Sequence, residues 1–428
     1  MKKYYYNNLK RQELTSLVRR PSIDLNKAFE TVKPILNDIK LNGLKAVLKY
    51  AKQFDSFEPE EISVTEEEFA EAEKKLEPKI KQALETAHKN IHKFHKKQKP
   101  KDYFVETIPG VSCAREYRAI ENVGLYVPGG SAILPSTMLM LGIPAKIAGC
   151  KRVVVCSPVK NGKINYPLLY AARLCGIKEF YKIGGAQAIG MMAYGTEEIS
   201  KADKIFGPGN QYVTAAKLLV STDPDACTID MPAGPSEVLI IADESADPSF
   251  AAADLLAQAE HGIDSQVILV TNSENFSIKI EEEINRQIMS LPRKEIILKS
   301  LTNSFVVITA NINEAINFSN LYAPEHLILN IKNPDRVKSL VQNAGSVFLG
   351  GYSPESAGDY ASGTNHSLPT YGYARSFSGV TVESFMKSIS FQSLSKNGLK
   401  KISKTVETLA EAEGLQAHKN AVTIRFKK

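Results

Sequence analysis

Eight short apolar runs, VGLYV, KRVVVCS, EFYKIGG, EVLIIAD, SQVILVT, SFVVIT, EHLILNI and GSVFLG, recur between residues 123 and 350, and helical stretches lie between several of them. Their β-branched and aromatic content marks them as buried strands. That alternation points to parallel α/β layers, in which ligands collect at the loops leaving the carboxyl ends of strands. With 428 residues the chain is about three times a typical single-domain length, so two or more sizeable cores are expected. No GxGxxG fingerprint follows any of these strands. The nearest feature is Gly184 to Gly190 (GGAQAIG) after EFYKI, where glycines would let the backbone approach a phosphate at a helix start.

Before this region the texture is helical. From about Ile23 to Pro100 apolar residues recur three and four apart, as in Phe69, Ala72, Leu76, Ile80, Leu84, Ala87 and Ile91. The stretch VKNGKINY after KRVVVCS reads as a loop of variable length. At the far end Leu399, Ile402, Val406 and Leu409 stand at helical spacing, an amphipathic tail suited to packing on another surface, including that of a partner subunit.

No segment approaches the roughly 20 consecutive apolar residues of a membrane span. The opening MKKYYYNNLKRQELTSLVRR lacks the apolar core of a secretory signal, so a cytoplasmic protein is expected. Five cysteines, Cys113, Cys150, Cys156, Cys175 and Cys227, are odd in number and form no CxxC pair. This argues against a disulfide framework and a thiolate zinc site, and Cys150 and Cys156 read as small core residues. Net charge is +6, with much of the local excess between Lys89 and Lys101. Little aromatic residue beyond Phe94 accompanies those lysines, so a nucleic-acid partner is not expected.

The seven histidines fall into two groups. His88, His92 and His95 share a helix face, but Lys89, Lys93, Lys96 and Lys97 crowd them and would repel a dication, so they read as solvated surface groups. His261, His326, His366 and His418 lie in segments dense with Gly, Pro, Asp, Glu or Asn. A helix beginning near Asp247-Pro248 should stop at Gly262, with Gln258 and His261 on one face of its last turn. That pair is half a metal site or, equally, a surface amide beside a C-capping histidine. SPESAGDYASGTNHSLPTYG, residues 353–372, supplies Asp359, Tyr360, Asn365 and His366 without apolar periodicity, as a functional loop would, or an exposed surface excursion. Glu325 and His326, adjacent in a turn before LILNI, are the side-chain types most used for proton transfer near neutral pH. Standing alone, they would also read as an exposed carboxylate and a hydrogen-bonded histidine at a strand edge.

These segments, in this order, resemble one family across nearly the whole chain: histidinol dehydrogenase. The matching stretches are VGLYVPGGSAILPSTMLM, GGAQAIG, FGPGNQYVTAAK, AGPSEVLIIAD, DLLAQAEHGIDSQ, YAPEHL, AGSVFLG, SPESAGDYASGTNHSLPT and AEGLQAH. The resemblance implies oxidation of L-histidinol to L-histidine by two successive hydride transfers to NAD through an aldehyde, the last step of histidine synthesis. It implies one zinc ion per subunit held by Gln258, His261, Asp359 and His418, a mixed nitrogen and oxygen set open to substrate atoms. His326 would be the acid and base of hydride transfer, and Glu325 the activator of water on the aldehyde. Substrate contacts would be Ser236, Tyr360, His366 and Glu413 beside the ligands and His326; NAD contacts would be Tyr126, Gln187 and Asn210.

The fold class implied is α/β, with two larger, incomplete Rossmann-like parallel-sheet domains plus helical N-terminal and C-terminal segments. Residues 1–22 would form an N-terminal arm, and 23–125 with 237–380 a first α/β domain. Residues 126–236 would form a second domain on the NAD side, and 381–428 a helical tail. In the resembled family a homodimer places this tail in the neighbour's site, so Glu413 and His418 would act across the interface. A zinc hydrolase using Glu325 as base, or a relative acting on another amino alcohol, are the competing readings.

Overall fold

The structure, a computed structural model, describes residues 1–428 except 21–24, 56–60, 130–133, 160–163, 233 and 428. All eight apolar runs are strands, and they sort into two parallel sheets. The larger sheet has the order Lys2–Tyr5, Phe305–Ile308, Gln266–Thr271, Glu237–Ala242, His326–Asn330, Ser346–Leu349. Every residue of Glu237–Ala242, Gln266–Thr271 and His326–Asn330 is buried, as both-face burial requires of central parallel strands. Alternate residues serve opposite cores. Val238, Ile240 and Ala242 pack with the helices Pro248–Ala259 and Glu274–Gln287, whereas Leu239 and Ile241 pack with Ile312–Tyr322 on the other face.

The smaller sheet runs Glu179–Tyr181, Arg152–Cys156, Asn122–Tyr126, Lys204–Phe206, Thr228–Ile229. Numbered along the chain this order is 3-2-1-4-5, a Rossmann-like half. Five strands of the larger sheet, from Phe305–Ile308 to Ser346–Leu349, repeat it. The N-terminal arm supplies the extra edge strand, pairing Lys2–Tyr5 parallel with Phe305–Ile308.

Three expectations are corrected. The helices of residues 25–98, grouped from sequence with 237–380, pack instead on the smaller sheet. Leu25–Asp55 lies with Gly185–Tyr194 and Gln211–Ser221 on one face, and Pro78–His95 with Pro135–Ala148 on the other. The strand Asn122–Tyr126, split by the expected boundary, is central to that same sheet. An apolar stripe demands a partner without naming one; here Leu36 and Ile39 close onto Gly190, where a Cβ would stand 2.8 Å from the Ile39 side chain. Second, the continuous apolar repeat from Phe69 to Ile91 is two helices, Glu66–Lys75 and Pro78–His95. Pro78 at the first helical position holds Glu77 out of helical geometry, and Leu76 is extended. Third, the tail begins with a strand. Met386–Leu394 pairs antiparallel with Val111–Ala119, which pairs with Tyr103–Ile108, and only then come the helices Lys396–Ala412 and Gln416–Thr423. This small sheet is largely exposed, so its strands carry no apolar run to betray them.

Of the expected loop from Val159 to Tyr166, residues 160–163 lie outside the described residues, as do 130–133 of the VGLYVPGG stretch and Ala233 of AGPSE. Among the described residues no helix is long and apolar enough to cross a membrane. Cys156, Cys175 and Cys227 are buried, Cys150 is half-buried, and Cys113 is exposed.

Candidate active site

At the amino-terminal ends of two neighbouring strands of the larger sheet, Glu237 and His326 start their strands one position apart in register. Expectation placed ligand loops at carboxyl ends. The residues expected to contact NAD lie at carboxyl ends of the smaller sheet, whereas this cluster gathers at the opposite, amino-terminal end of the larger one. Backbone groups of Glu237 grip the two proton-transfer candidates. Its N–H donates to Glu325 Oε2 at 2.9 Å, and its carbonyl oxygen lies 3.3 Å from His326 Nδ1. A carbonyl can only accept, so Nδ1 carries the proton and Nε2 is left with its lone pair. That Nε2 is buried and has no hydrogen-bond partner. Burial holds the imidazole pKa down to about 3, so the ring is neutral at physiological pH.

Facing it is the helix Glu355–Tyr360, which presents Glu355 and Asp359 four residues apart on one face. Asp359 Oδ1 stands 3.7 Å from His326 Nε2 and is itself buried without a partner. Glu355 Oε1 is 3.7 Å from His326 Nδ1, and Glu325 Oε2 is 3.6 Å from it. Ligand atoms of His326, Glu355 and Asp359 all lie within 4.8 Å of one another. Burial raises the pKa of Glu325 and Glu355 well above the usual carboxylate range and that of Asp359 to about 6. A buried, mutually repelling carboxylate cluster with two orphaned donor atoms is the environment a divalent cation neutralises.

The helix Pro248–Ala259 starts where expected, with Asp247 capping Ser249 N–H and Pro248 at its first position. Gln258, fully buried in its last turn, directs its amide nitrogen at the Glu355 carboxylate and accepts from the Glu237 N–H at 3.1 Å. His261 follows just beyond; burial lowers its pKa, opposed in part by the Asp359 carboxylate. Glu355 is the residue missed from sequence; its signal was the four-residue spacing to Asp359. His366 Nδ1 donates to the Asp359 carbonyl at 2.9 Å, leaving Nε2 to accept from Thr137 Oγ1 at 3.1 Å. Tyr360 is exposed, and Ser236 is half-buried just before Glu237. His95, expected on the solvated surface, is fully buried, its Nδ1 on the Ile91 carbonyl and its Nε2 3.2 Å from Asn365 Nδ2. Only the outer face of that helix is wet.

Two expected residues stay away from the cluster. Glu413 caps the end of Lys396–Ala412 and His418 lies on Gln416–Thr423; both are exposed, and among the described residues no hydrogen bond or ion pair joins either to the site. The NAD candidates sit at carboxyl ends of the smaller sheet. Tyr126 ends its strand and accepts from Gly185 N–H at 3.1 Å; Gln187 is buried in the first turn of Gly185–Tyr194, the helix that follows the strand Glu179–Tyr181. Asn210 caps Gln211–Ser221 by accepting from Tyr212 and Val213 N–H. Tyr126 and Asn210 thus flank the point where strand order reverses, where nucleotides bind in such sheets. Gly207 has φ +119, and a Cβ there would meet the Tyr126 carbonyl oxygen at 2.1 Å, so only glycine fits this approach.

Comparison with known proteins decides the family. Residues 18–426 match the family described as histidinol dehydrogenase. The chain belongs to the histidinol dehydrogenase family. It is 52% identical over its full length to a histidinol dehydrogenase of Vibrio parahaemolyticus, covering 99% of that protein. It is equally identical to a chloroplastic histidinol dehydrogenase of Arabidopsis thaliana, covering 92% of it. The fold matches a crystal structure of histidinol dehydrogenase from Elizabethkingia anophelis with a TM-score of 0.94 and 51% identity, covering 99% of this chain and 98% of that one.

One buried acid beside the site serves no assigned role. Burial raises Asp254, one turn before Gln258, from 3.8 to about 7. Because the folded state keeps this proton to higher pH than the unfolded chain, stability from this group is lost as pH rises from about 4 to about 7. Asp254→Asn should therefore raise stability at pH 8 by on the order of 2–4 kcal/mol, read as a higher melting temperature, and change it little at pH 5. Paired thermal melts at the two pH values check this, and equal shifts at both would contradict it.

Proposed function

We propose that this family member oxidises L-histidinol to L-histidine in two NAD-linked steps through the aldehyde, with one zinc ion per site. The orphaned His326 Nε2 facing the orphaned Asp359 Oδ1 carries the reading. Gln258, His261 and Asp359 of one copy would hold the metal, completed by His418 from a second copy. When bound, zinc supplies orientation of the substrate's nitrogen atoms and offsets the buried carboxylate charge. His326, neutral through burial and fixed in tautomer by the Glu237 carbonyl, accepts the hydroxyl proton at Nε2 as hydride leaves the carbinol carbon for NAD. The aldehyde has no hydroxyl, so water must add first. Glu325, anchored by the Glu237 N–H, would take a proton from that water once ionised; burial opposes that ionisation and a bound cation would favour it. His326 then serves the second hydride transfer as it served the first. Ser236, Tyr360, His366 and Glu413 would line the substrate, and Tyr126, Gln187 and Asn210 the NAD.

Purified protein given histidinol and NAD should form two NADH per histidinol consumed; absence of NADH sinks the proposal. Glu413 and His418 would act across a subunit interface, a reading supported by their exposure on a tail whose helix carries an amphipathic face. Mixed His261→Ala and His418→Ala chains, each inactive alone, should recover about a quarter of parental activity, because one site in four of a random dimer mixture is intact. No recovery after confirmed subunit exchange would put both residues in one chain's site.

A further inference from the structure

Among buried groups given no role above, Arg20 of the N-terminal arm has the richest set of partners. Its side chain is 6% exposed and that of Glu237 is 2%. The guanidinium forks onto the carboxylate, Nε to Oε2 at 2.6 Å and Nη2 to Oε1 at 2.9 Å. The same group donates to the Tyr322 carbonyl at 2.6 Å and the Ala323 carbonyl at 3.1 Å, and lies 3.5 Å over the Tyr322 ring. The Tyr322 hydroxyl donates to Glu237 Oε2 at 2.8 Å. Ala323 has φ +54, a left-handed conformation that a non-glycine residue holds only when its surroundings enforce it, and it is followed directly by Pro324, Glu325 and His326.

Arg20 therefore clamps the chain from two sides. Through the carbonyls of Tyr322 and Ala323 it holds the turn that delivers Glu325 and His326. Through the Glu237 carboxylate, to which it donates, it holds the residue whose N–H and carbonyl fix those same two side chains. We propose that Arg20 is a positioning residue for the proton-transfer pair, making the N-terminal arm part of the catalytic apparatus without touching substrate. This rests on the histidinol-oxidising function proposed above. A lysine in its place keeps the charge but cannot form the planar fork.

The test compares the full-length parent with Arg20→Lys, with Arg20→Ala/Glu237→Gln, which removes both halves of the ion pair so that no unpaired charge is buried, and with Arg375→Lys. Arg375 donates to the carbonyls of Leu321 and Gly372 nearby, and among the described residues no hydrogen bond or ion pair joins it to Glu237. Rates are taken per metal-loaded site. For Arg20→Lys and the double variant we expect kcat to fall about tenfold or more with KM for histidinol and NAD within about twofold of the parent, since misplaced proton acceptors slow chemistry and not binding. Deuterium at the carbinol carbon should then slow kcat more in these variants than in the parent. Arg375→Lys should match the parent. An active parent with Arg20→Lys equal to it per loaded site, or a double variant at full kcat, overturns this inference alone. A parent that forms no NADH overturns the function and this inference with it.

Discussion

Stripping the protein of divalent metal should reduce histidinol-dependent NADH formation by more than about 100-fold, and zinc alone should restore it. The expectation comes from the electrostatics of the cluster. Three carboxylates, Glu325, Glu355 and Asp359, are buried around one neutral imidazole, and all are held protonated to unusually high pH by that burial. Without a cation, the Asp359 carboxylate has its Oδ1 unsatisfied and the substrate lacks an anchor opposite His326. Asp359→Asn should behave like demetallation, losing bound metal on dialysis, while Tyr360, exposed at the rim, should tolerate Phe with metal retained. Full turnover by protein shown to be metal-free would end the metal-centred reading.

The second large effect separates the two half-reactions. His326→Asn should lower kcat by roughly 10²–10⁴, the usual worth of a positioned general base, with metal content unchanged. Glu325→Gln should spare the first oxidation and block hydration of the aldehyde. Its signature is stoichiometric: close to one NADH per histidinol instead of two, with aldehyde trapped by a hydrazine reagent. Equal losses of both steps in both variants would mean that the pair acts as a unit, and the division of labour assigned to it would be wrong. Glutamine keeps the acceptor for the Glu237 N–H, so this variant tests proton removal without releasing the anchor.

The residues that carry this chemistry were readable to different degrees. Gln258 could be found because helical periodicity and a capping Asp247-Pro248 fix which side chains leave the last turn, and His261, three residues on, lies just past the helix end at Ala259. Glu325 and His326 could be found because a carboxylate and an imidazole stand adjacent before a strand. Glu355 was hidden in a segment read as irregular loop, where no helical stripe drew attention to a residue four before Asp359. Glu237 was hidden as the first letter of an apolar run, although its backbone holds both proton-transfer residues. Arg20 stood in an arm with no motif at all.

Local periodicity therefore determined the strands and most of the helices, since the burial of alternate or every-third residues is written into each segment on its own. Motif wording determined the family. Which sheet the helices of residues 25–98 cover, the amino-terminal placement of the site on the larger sheet, and the meeting of Arg20, Glu237, Glu325, His326, Glu355 and Asp359 were decided only by tertiary structure. The physical reason is that an apolar stripe or a buried charge fixes the kind of partner it needs, an apolar face or a counter-charge. The identity of that partner depends on contacts between residues up to 303 positions apart, from Arg20 to Ala323.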